Sequence, residues 1–597
     1  MPEYTAPGVY VEETGFRAAS IEGVGTGTAA FVGPTRKGPH RTGANATEAP
    51  ELLTSFREFE QICGGLADLD LGLGVPTTNF LAHAVLAFFN EGGSRLYVAR
   101  VLGAGAATAR AVVAGSVGSE AAAAVASPKN IVFQSNSPGA CGNGRVLVCE
   151  VVTAASEAVM ASSPQGSLLR TVAEGTASYH VKLGATWRAA DNLEGPVGMV
   201  PTLAAHAPHL ITLQITATDG DGNSQTYGDL GLHSSHPRWL GLVLAPSPSH
   251  RSGPSLNPFA LLIGGSVSPL DLRNGLLANA VANAGGRPER AWALTGGSDG
   301  GEPMANDYAL ALSSIASMED VCTVAAPGSS AYSVASADNP RAIANALIAH
   351  AECPRAYRIA VLETPQGLTP DAARNYRGLF DSQCAAMYYP WVVVANPLAR
   401  PGRADTAAEL SLPPSGFVTG IYARNDAERG VHTAPANQVV RGALRFEFDI
   451  NAAQQELLNQ AGVNCLRFFS GRGHRVWGGR LISSDPEWKY VASRRYFNYL
   501  EASIDRGTQW AVFEPNGERL WANMRQTVTE FLHNEWRKAA LLGAAVEQAF
   551  FVRCDRSTMS QNDLDKGQLV CLIGVAMLKP AEFMIFRIGQ KTADARE

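Results

Sequence analysis

At each end this chain carries a strand-like segment that has no local partner. Residues 7–13 read Pro7-Gly8-Val9-Tyr10-Val11-Glu12-Glu13, and residues 579–590 read Lys579-Pro580-Ala581-Glu582-Phe583-Met584-Ile585-Phe586-Arg587-Ile588-Gly589-Gln590. Both are runs of β-branched and aromatic residues bounded by Pro and Gly, the composition of a strand. A strand whose N–H and C=O groups lack a neighbour is a template for pairing with another chain. The pattern predicts extended arms over 1–20 and 579–597, with Val9, Tyr10, Val11, Glu12, Glu13, Phe583, Met584, Ile585, Phe586 and Arg587 at subunit interfaces.

Between the arms, 597 residues are too many for one hydrophobic core, so several domains are expected. Residues 21–103 alternate strand and helix signals: Thr28–Gly33 reads as a buried strand, Asn79–Asn90 as a helix with a wide apolar stripe, and Arg95–Val101 as the next strand. From 104 to 259 the chain turns to short alternating strands with Pro, Gly and Ser breaks, read as an inserted β-rich domain. The α/β pattern resumes over 260–410, with strands expected at Ala291–Leu294, Val321–Ala326, Arg358–Glu363 and Ala386–Tyr389 and helices between the later ones. Strands separated by helices predict a largely parallel, doubly wound sheet. Residues 411–578 read as an α+β domain whose long helical stretch, Arg519 to Phe550, has a break at Gly543.

Composition narrows the function. Hydrophobic residues at 46% and charged residues at 17% support sizeable cores. A net charge of −6 argues against nucleic acid or an anionic membrane surface as the main partner. No apolar run approaches the roughly 20 residues of a membrane span, and the N-terminus lacks the charged and apolar regions of a signal peptide, so the chain is expected in the cytoplasm. The nine cysteines are scattered without a C-x-x-C pair, which predicts reduced thiols and no zinc site.

Three segments imitate chemistry. Gly296-Gly297-Ser298-Asp299-Gly300 fits the nucleophile elbow of a serine hydrolase, but Gly300, Gly301 and Pro303 postpone the helix that should begin right after the serine. Asp219-Gly220-Asp221-Gly222-Asn223 opens like a calcium loop but has Ser224 and Leu230 where Gly and Glu are required, so it reads as a β-turn. His233 and His236 read as loop residues, and no phosphate-binding G-x-x-x-x-G-K-[ST] occurs.

A resemblance adds to this reading. The opening, with Pro7 to Glu13, Ile21-Glu22-Gly23-Val24 and Ala30-Phe31-Val32-Gly33-Pro34-Thr35, resembles that of contractile tail sheath proteins. The second half matches more densely. Ala434-Pro435-Ala436-Asn437, Gly462-Val463-Asn464, Val476-Trp477-Gly478-Gly479-Arg480, Ser493-Arg494-Arg495, Val512-Phe513-Glu514-Pro515-Asn516, Phe551-Val552-Arg553-Cys554-Asp555 and Lys579-Pro580-Ala581-Glu582-Phe583 follow one another in the family's order. The resemblance implies a subtilisin-like central α/β domain, no catalysis and no cofactor. It implies self-association into stacked rings around an inner tube protein, with baseplate and tail-terminator partners, in a phage tail or tail-like particle assembled in the bacterial cytoplasm. The domain after 410 would then line the tube, with Arg525, Glu530, Arg537 and Lys538 on the tube-facing side of its long helix. Two other readings stay open on the residues alone: a hydrolase using Ser298, and a non-contractile self-assembling shell protein.

Overall fold

The computed structural model describes residues 20–39, 50–114, 129–173, 176–191, 193, 208–246, 257–400, 402, 406–582 and 584. Val9, Tyr10, Val11, Glu12, Glu13, Phe583, Ile585, Phe586 and Arg587 lie outside them.

A nine-stranded sheet organises the chain. Its order is Leu52–Leu53, Arg95–Arg100, Thr28–Gly33, Thr323–Ala325, Ile359–Glu363, Ala385–Tyr389, Val463–Phe469, Gly473–Trp477 and Gln438–Val439. The six strands from Arg95–Arg100 to Val463–Phe469 run parallel. Their apolar runs do not alternate with polar residues because both faces are covered. Phe31, Val98, Val361 and Tyr388 face the helices Phe80–Glu91 and Pro414–Arg429. Ala30, Val32, Val324, Leu362 and Met387 face the helices Ala305–Ile315 and Asn339–Ala351.

The helix expected from Asn79 spans Phe80–Glu91; the Asn79 side chain accepts from Ala82 N, and Gly92 ends the helix in the left-handed region at φ 108°. It is apolar nearly all round because it is wedged between the sheet and Pro414–Arg429. That contact is close: a Cβ at Gly416 would lie 2.6 Å from the Cβ of Ala84. The buried pair Glu91–Arg424, 2.6 Å, locks the two helices together.

Three local expectations are corrected. The strand expected at Ala291–Leu294 is Pro288–Ala293, and it pairs antiparallel with Arg145–Ala154 instead of entering the parallel sheet. Its residues are half-exposed or exposed, as on an antiparallel sheet with one open face. The β-rich region therefore runs beyond the expected return at 260. Phe259–Ile263 pairs with Ile131–Ser135, and Leu272 and Leu276 share one core with Val146, Ile211 and Leu213. Entry and exit of this region meet: Gly301 N donates to Ala104 O at 2.8 Å. Second, the parallel sheet extends past 410, because the buried run Val463–Leu466 adds beside Ala385–Tyr389. Third, the long helix ends at Arg537, before Gly543; Ala539, with φ 57°, turns the chain, and Trp536 Nε1 donates to Gly543 O across the bend.

The remaining C-terminal residues build one further core. Helices Val491–Gly507 and Glu518–Arg537 pack with the two-stranded ribbon of Phe550–Arg553 and Leu572–Val575. Arg495 and Asp426, a two-pronged pair at 2.6 and 2.8 Å with both side chains buried, join this unit to the sheet helix Pro414–Arg429.

Candidate functional site

The roots of both terminal segments lie on this C-terminal unit. At the N-terminal root, Ile21 is buried against Tyr496, Leu500 and Trp521, and Val24 N donates to Ser503 Oγ at 3.1 Å. Gly23 passes so close to Tyr499 that a Cβ there would sit 2.1 Å from the phenol oxygen. At the C-terminal root, Leu541 bridges Met577, and the chain then reaches Glu582.

Glu582 is held by groups from separate parts of the sequence. Arg480 reaches it with a fork, Nε to Oε1 at 2.7 Å and Nη2 to Oε2 at 2.6 Å. Asn459 Nδ2 donates to Oε1 at 2.7 Å, and Tyr490 OH donates to Oε2 at 3.2 Å. Arg480 is itself fixed: Nη1 donates to Asn459 O, its N–H to Asn464 Oδ1, and its carbonyl accepts from Asn464 Nδ2, each at 2.7 Å. Desolvation alone would push the Glu582 carboxyl up, but the hydrogen bonds from Arg480 and Asn459 and the guanidinium charge outweigh it and hold it below the usual range. Three motifs far apart in sequence, Gly462-Val463-Asn464, Trp477-Gly478-Gly479-Arg480 and Lys579-Pro580-Ala581-Glu582, thus form one clamp near the start of the C-terminal segment.

Beside these roots lies a two-stranded ribbon. Among the described residues, Phe550–Arg553 and Leu572–Val575 pair only with each other, and Phe551, Val570 and Leu572 are exposed apolar side chains around them. A two-stranded ribbon is marginal by itself and offers backbone groups to a further strand.

On the helix Glu518–Arg537, Leu520, Trp521, Met524, Val528, Phe531 and Leu532 are buried. Arg525, Glu530 and Arg537 are exposed, with Glu530 accepting from Gln526 at 2.9 Å. Lys538 is exposed too and carries an ion pair. Its Nζ donates at 2.8 Å to Glu535, a buried carboxylate that also accepts from Tyr496 and Tyr499. Met584 is exposed.

The segments that imitate chemistry are absorbed by structure. Ser298 forms an antiparallel bridge with Ala107, and its Oγ accepts from Gly300 N at 3.1 Å within its own turn; the next helix starts only at Ala305. Asp299 is buried, and its two oxygens accept from the backbone of Ala140 and Asp70. Asp219 likewise accepts from Asp221 N and Asn223 N, closing the turn between strands His209–Thr218 and Ser224–Leu230. His233 and His236 each accept from a backbone N–H two residues on.

Asn464, Arg480 and Glu582 stand in separate motifs along the sequence, and no motif marks Asn459, Tyr490 or Glu535. The available signal is an acid beside Pro580 matched to an arginine in a Gly-Gly turn; nothing in the sequence marks that they meet.

Residues 301–480 match the family described as phage tail sheath protein central domain, and residues 483–591 match the phage tail sheath C-terminal domain. A prophage major tail sheath protein of Pseudomonas aeruginosa (strain UCBPP-PA14) is 30% identical over 269 residues, 44% of this chain and 63% of that one. The chain spans less than two thirds of the length of the curated relatives it matches. In fold, it is similar to the sheath of an extracellular contractile injection system in its contracted state, with TM-score 0.51, 19% identity and 99% of each chain covered. The contracted helical sheath of the anti-feeding prophage gives TM-score 0.50 at 20% identity, covering 99% of this chain and 100% of that one.

Proposed function

Because the chain belongs to the contractile tail sheath protein family, whose members are structural proteins and not enzymes, we propose that it is a subunit that polymerises around an inner tube and shortens to drive that tube through a target envelope. The observation that carries this reading is that Ile21 and Met577, at the roots of the two terminal segments, share one C-terminal core with a two-stranded ribbon. The arms add strands to the ribbons of neighbouring subunits, using Val9, Tyr10, Val11, Glu12 and Glu13 at one end and Phe583 to Arg587 at the other.

Magnitudes favour such a linkage. Each added strand hydrogen bond contributes about 0.5–1.5 kcal/mol, and burying Val9, Val11, Phe583 or Ile585 adds about 1.5–3 kcal/mol each. Ordering an arm costs about 1–2 kcal/mol per residue. One junction is marginal, while several at once raise the effective concentration and hold the lattice through a rearrangement.

In this reading the central sheet is the subtilisin-like, doubly wound domain. The β-rich insertion faces outward, and the C-terminal unit forms the inner layer with Arg525, Glu530, Arg537 and Lys538 toward the tube. Baseplate and tail-terminator proteins close the two ends, and assembly takes place in the cytoplasm of the producing bacterium. Deleting residues 1–15 tests it: a folded, soluble monomer that forms no tubes by electron microscopy is expected, and normal sheaths from the truncated chain would sink the arm linkage.

A further inference from the structure

The ribbon holds a pair of thiols. Its register pairs Phe550 with Val575 and Arg553 with Leu572, so the next opposed residues are Cys554 and Cys571. Ala576 N donates to Ala549 O at 2.7 Å, which makes Ala549 and Ala576 a hydrogen-bonded pair. Alternation along an antiparallel ladder then puts Cys554 and Cys571 at a non-hydrogen-bonded position, where opposed Cα atoms lie about 4.5 Å apart. That separation falls within the roughly 4.4–6.8 Å that a disulfide spans. Cys554 is fully buried, Cys571 is half-buried, and both side chains belong to the core of the C-terminal unit. The intervening loop is already ordered: Thr558 Oγ1 donates to Val570 O at 2.8 Å, Asn516 Nδ2 to Gln568 O at 3.0 Å, and Ser560 and Asp563 cap a short helix.

We propose that Cys554 and Cys571 are a redox site that closes to a cross-strand disulfide under oxidising conditions. The bond fastens the base of the 555–570 loop, so that the strand leading to the C-terminal segment cannot peel from its partner. This holds whether or not neighbouring arms dock on the ribbon. With a small-molecule disulfide as oxidant, the Cys571 thiolate attacks one of its sulfurs and expels one small thiol. The Cys554 sulfur then attacks the Cys571 sulfur, loses its proton and expels the second. Two protein thiols are oxidised, and one disulfide is reduced to two thiols. Burial pushes Cys554 above the usual thiol range, and burial with the facing sulfur pushes Cys571 up to about 12. Both are protonated at neutral pH, so closure is slow and calls for prolonged exposure.

The test incubates the purified full-length chain with excess oxidised glutathione at mildly alkaline pH, blocks remaining thiols under denaturing conditions and digests with trypsin. Cleavage at Arg556 and Lys566 separates the two cysteines, so their peptides stay joined only through a disulfide and part on adding reductant. The joined pair is expected from the parent and absent from Cys571→Ala. Exposed Cys353 reports that the oxidant acted, by carrying a glutathione adduct. If Cys353 is modified while Cys554 and Cys571 are recovered on separate blocked peptides, the proposal is overturned.

Discussion

At the scale of single residues, the decisive group is Glu582. Among the described residues it is the last one held by several side-chain partners, and Arg480 supplies the fork that fits a carboxylate. Arg480→Ala is expected to cost about 1.5–3 kcal/mol, the worth of charge-assisted hydrogen bonds, and to free the segment beyond it. Limited proteolysis should then cut near residue 582 while the rest of the chain stays intact. Arg480→Lys keeps the charge, loses the fork and falls in between. The pH dependence has a definite sign. The folded carboxyl sits below its unfolded value of about 4.3, so its contribution is present above that value and is lost as pH falls through the lower folded one. The same cut should appear in the parent chain only at strongly acid pH. Equal protection of the segment in Arg480→Ala and in the parent would show that the clamp does not hold it.

At the scale of elements, the helix Glu518–Arg537 separates two kinds of charge. Arg525 and Arg537 project from its exposed side, where substitutions usually change stability by less than about 0.5 kcal/mol. Lys538 covers the buried Glu535 carboxylate, which sits under two tyrosine hydroxyls. Lys538→Glu sets two carboxylates against each other and is expected to destabilise the fold by about 1–3 kcal/mol, read as a lower Tm. The Arg525→Glu, Arg537→Glu double variant should melt like the parent yet fail to assemble sheath around tube. A double variant that assembles normally would place the tube contact elsewhere. A melting temperature for Lys538→Glu equal to the parent's would mean the ion pair is dispensable.

At the scale of the whole molecule, the β-rich insertion joins the α/β part where its entry and exit meet, with Arg36, Gly38 and Asp70 also bonded to it. Its entry and exit share the bond from Gly301 N to Ala104 O, and Arg100, buried at the junction, donates to the carbonyls of Thr35 and Pro138. Where it is cut therefore matters. Excising 104–259 leaves residues 260–263 without Ile131–Ser135 and Pro288–Ala293 without Arg145–Ala154, and bares Leu272 and Leu276. That product is expected to aggregate. Excising 105–300 with a short glycine linker keeps the parallel sheet and both of its helical layers, and should give a soluble chain that still forms contractile tubes. Solubility is read by gel filtration and tube formation by electron microscopy; an insoluble product from the longer cut would show that the sheet depends on the insertion.

The sequence by itself determined the local elements. Buried strands such as Thr28–Gly33, the capped helices after Asn79 and Thr369, and the turn at Asp219 follow from runs of apolar residues, cap side chains and Gly or Asp at turns, all readable within a few residues. Its ordered motifs also carried the family. Tertiary structure alone decided which sheet each strand enters and which charges meet. Pro288–Ala293 and Ile359–Glu363 are both short strand-forming runs, yet one joins an antiparallel sheet and the other the parallel one, because pairing depends on which edge is free when the chain folds. Arg480 and Glu582 lie 102 residues apart. Coulombic and hydrogen-bond energies depend on distance in space, which periodicity along the chain does not encode, so the clamp, the Lys538–Glu535 pair and the opposed thiols emerge only once the chain has been packed.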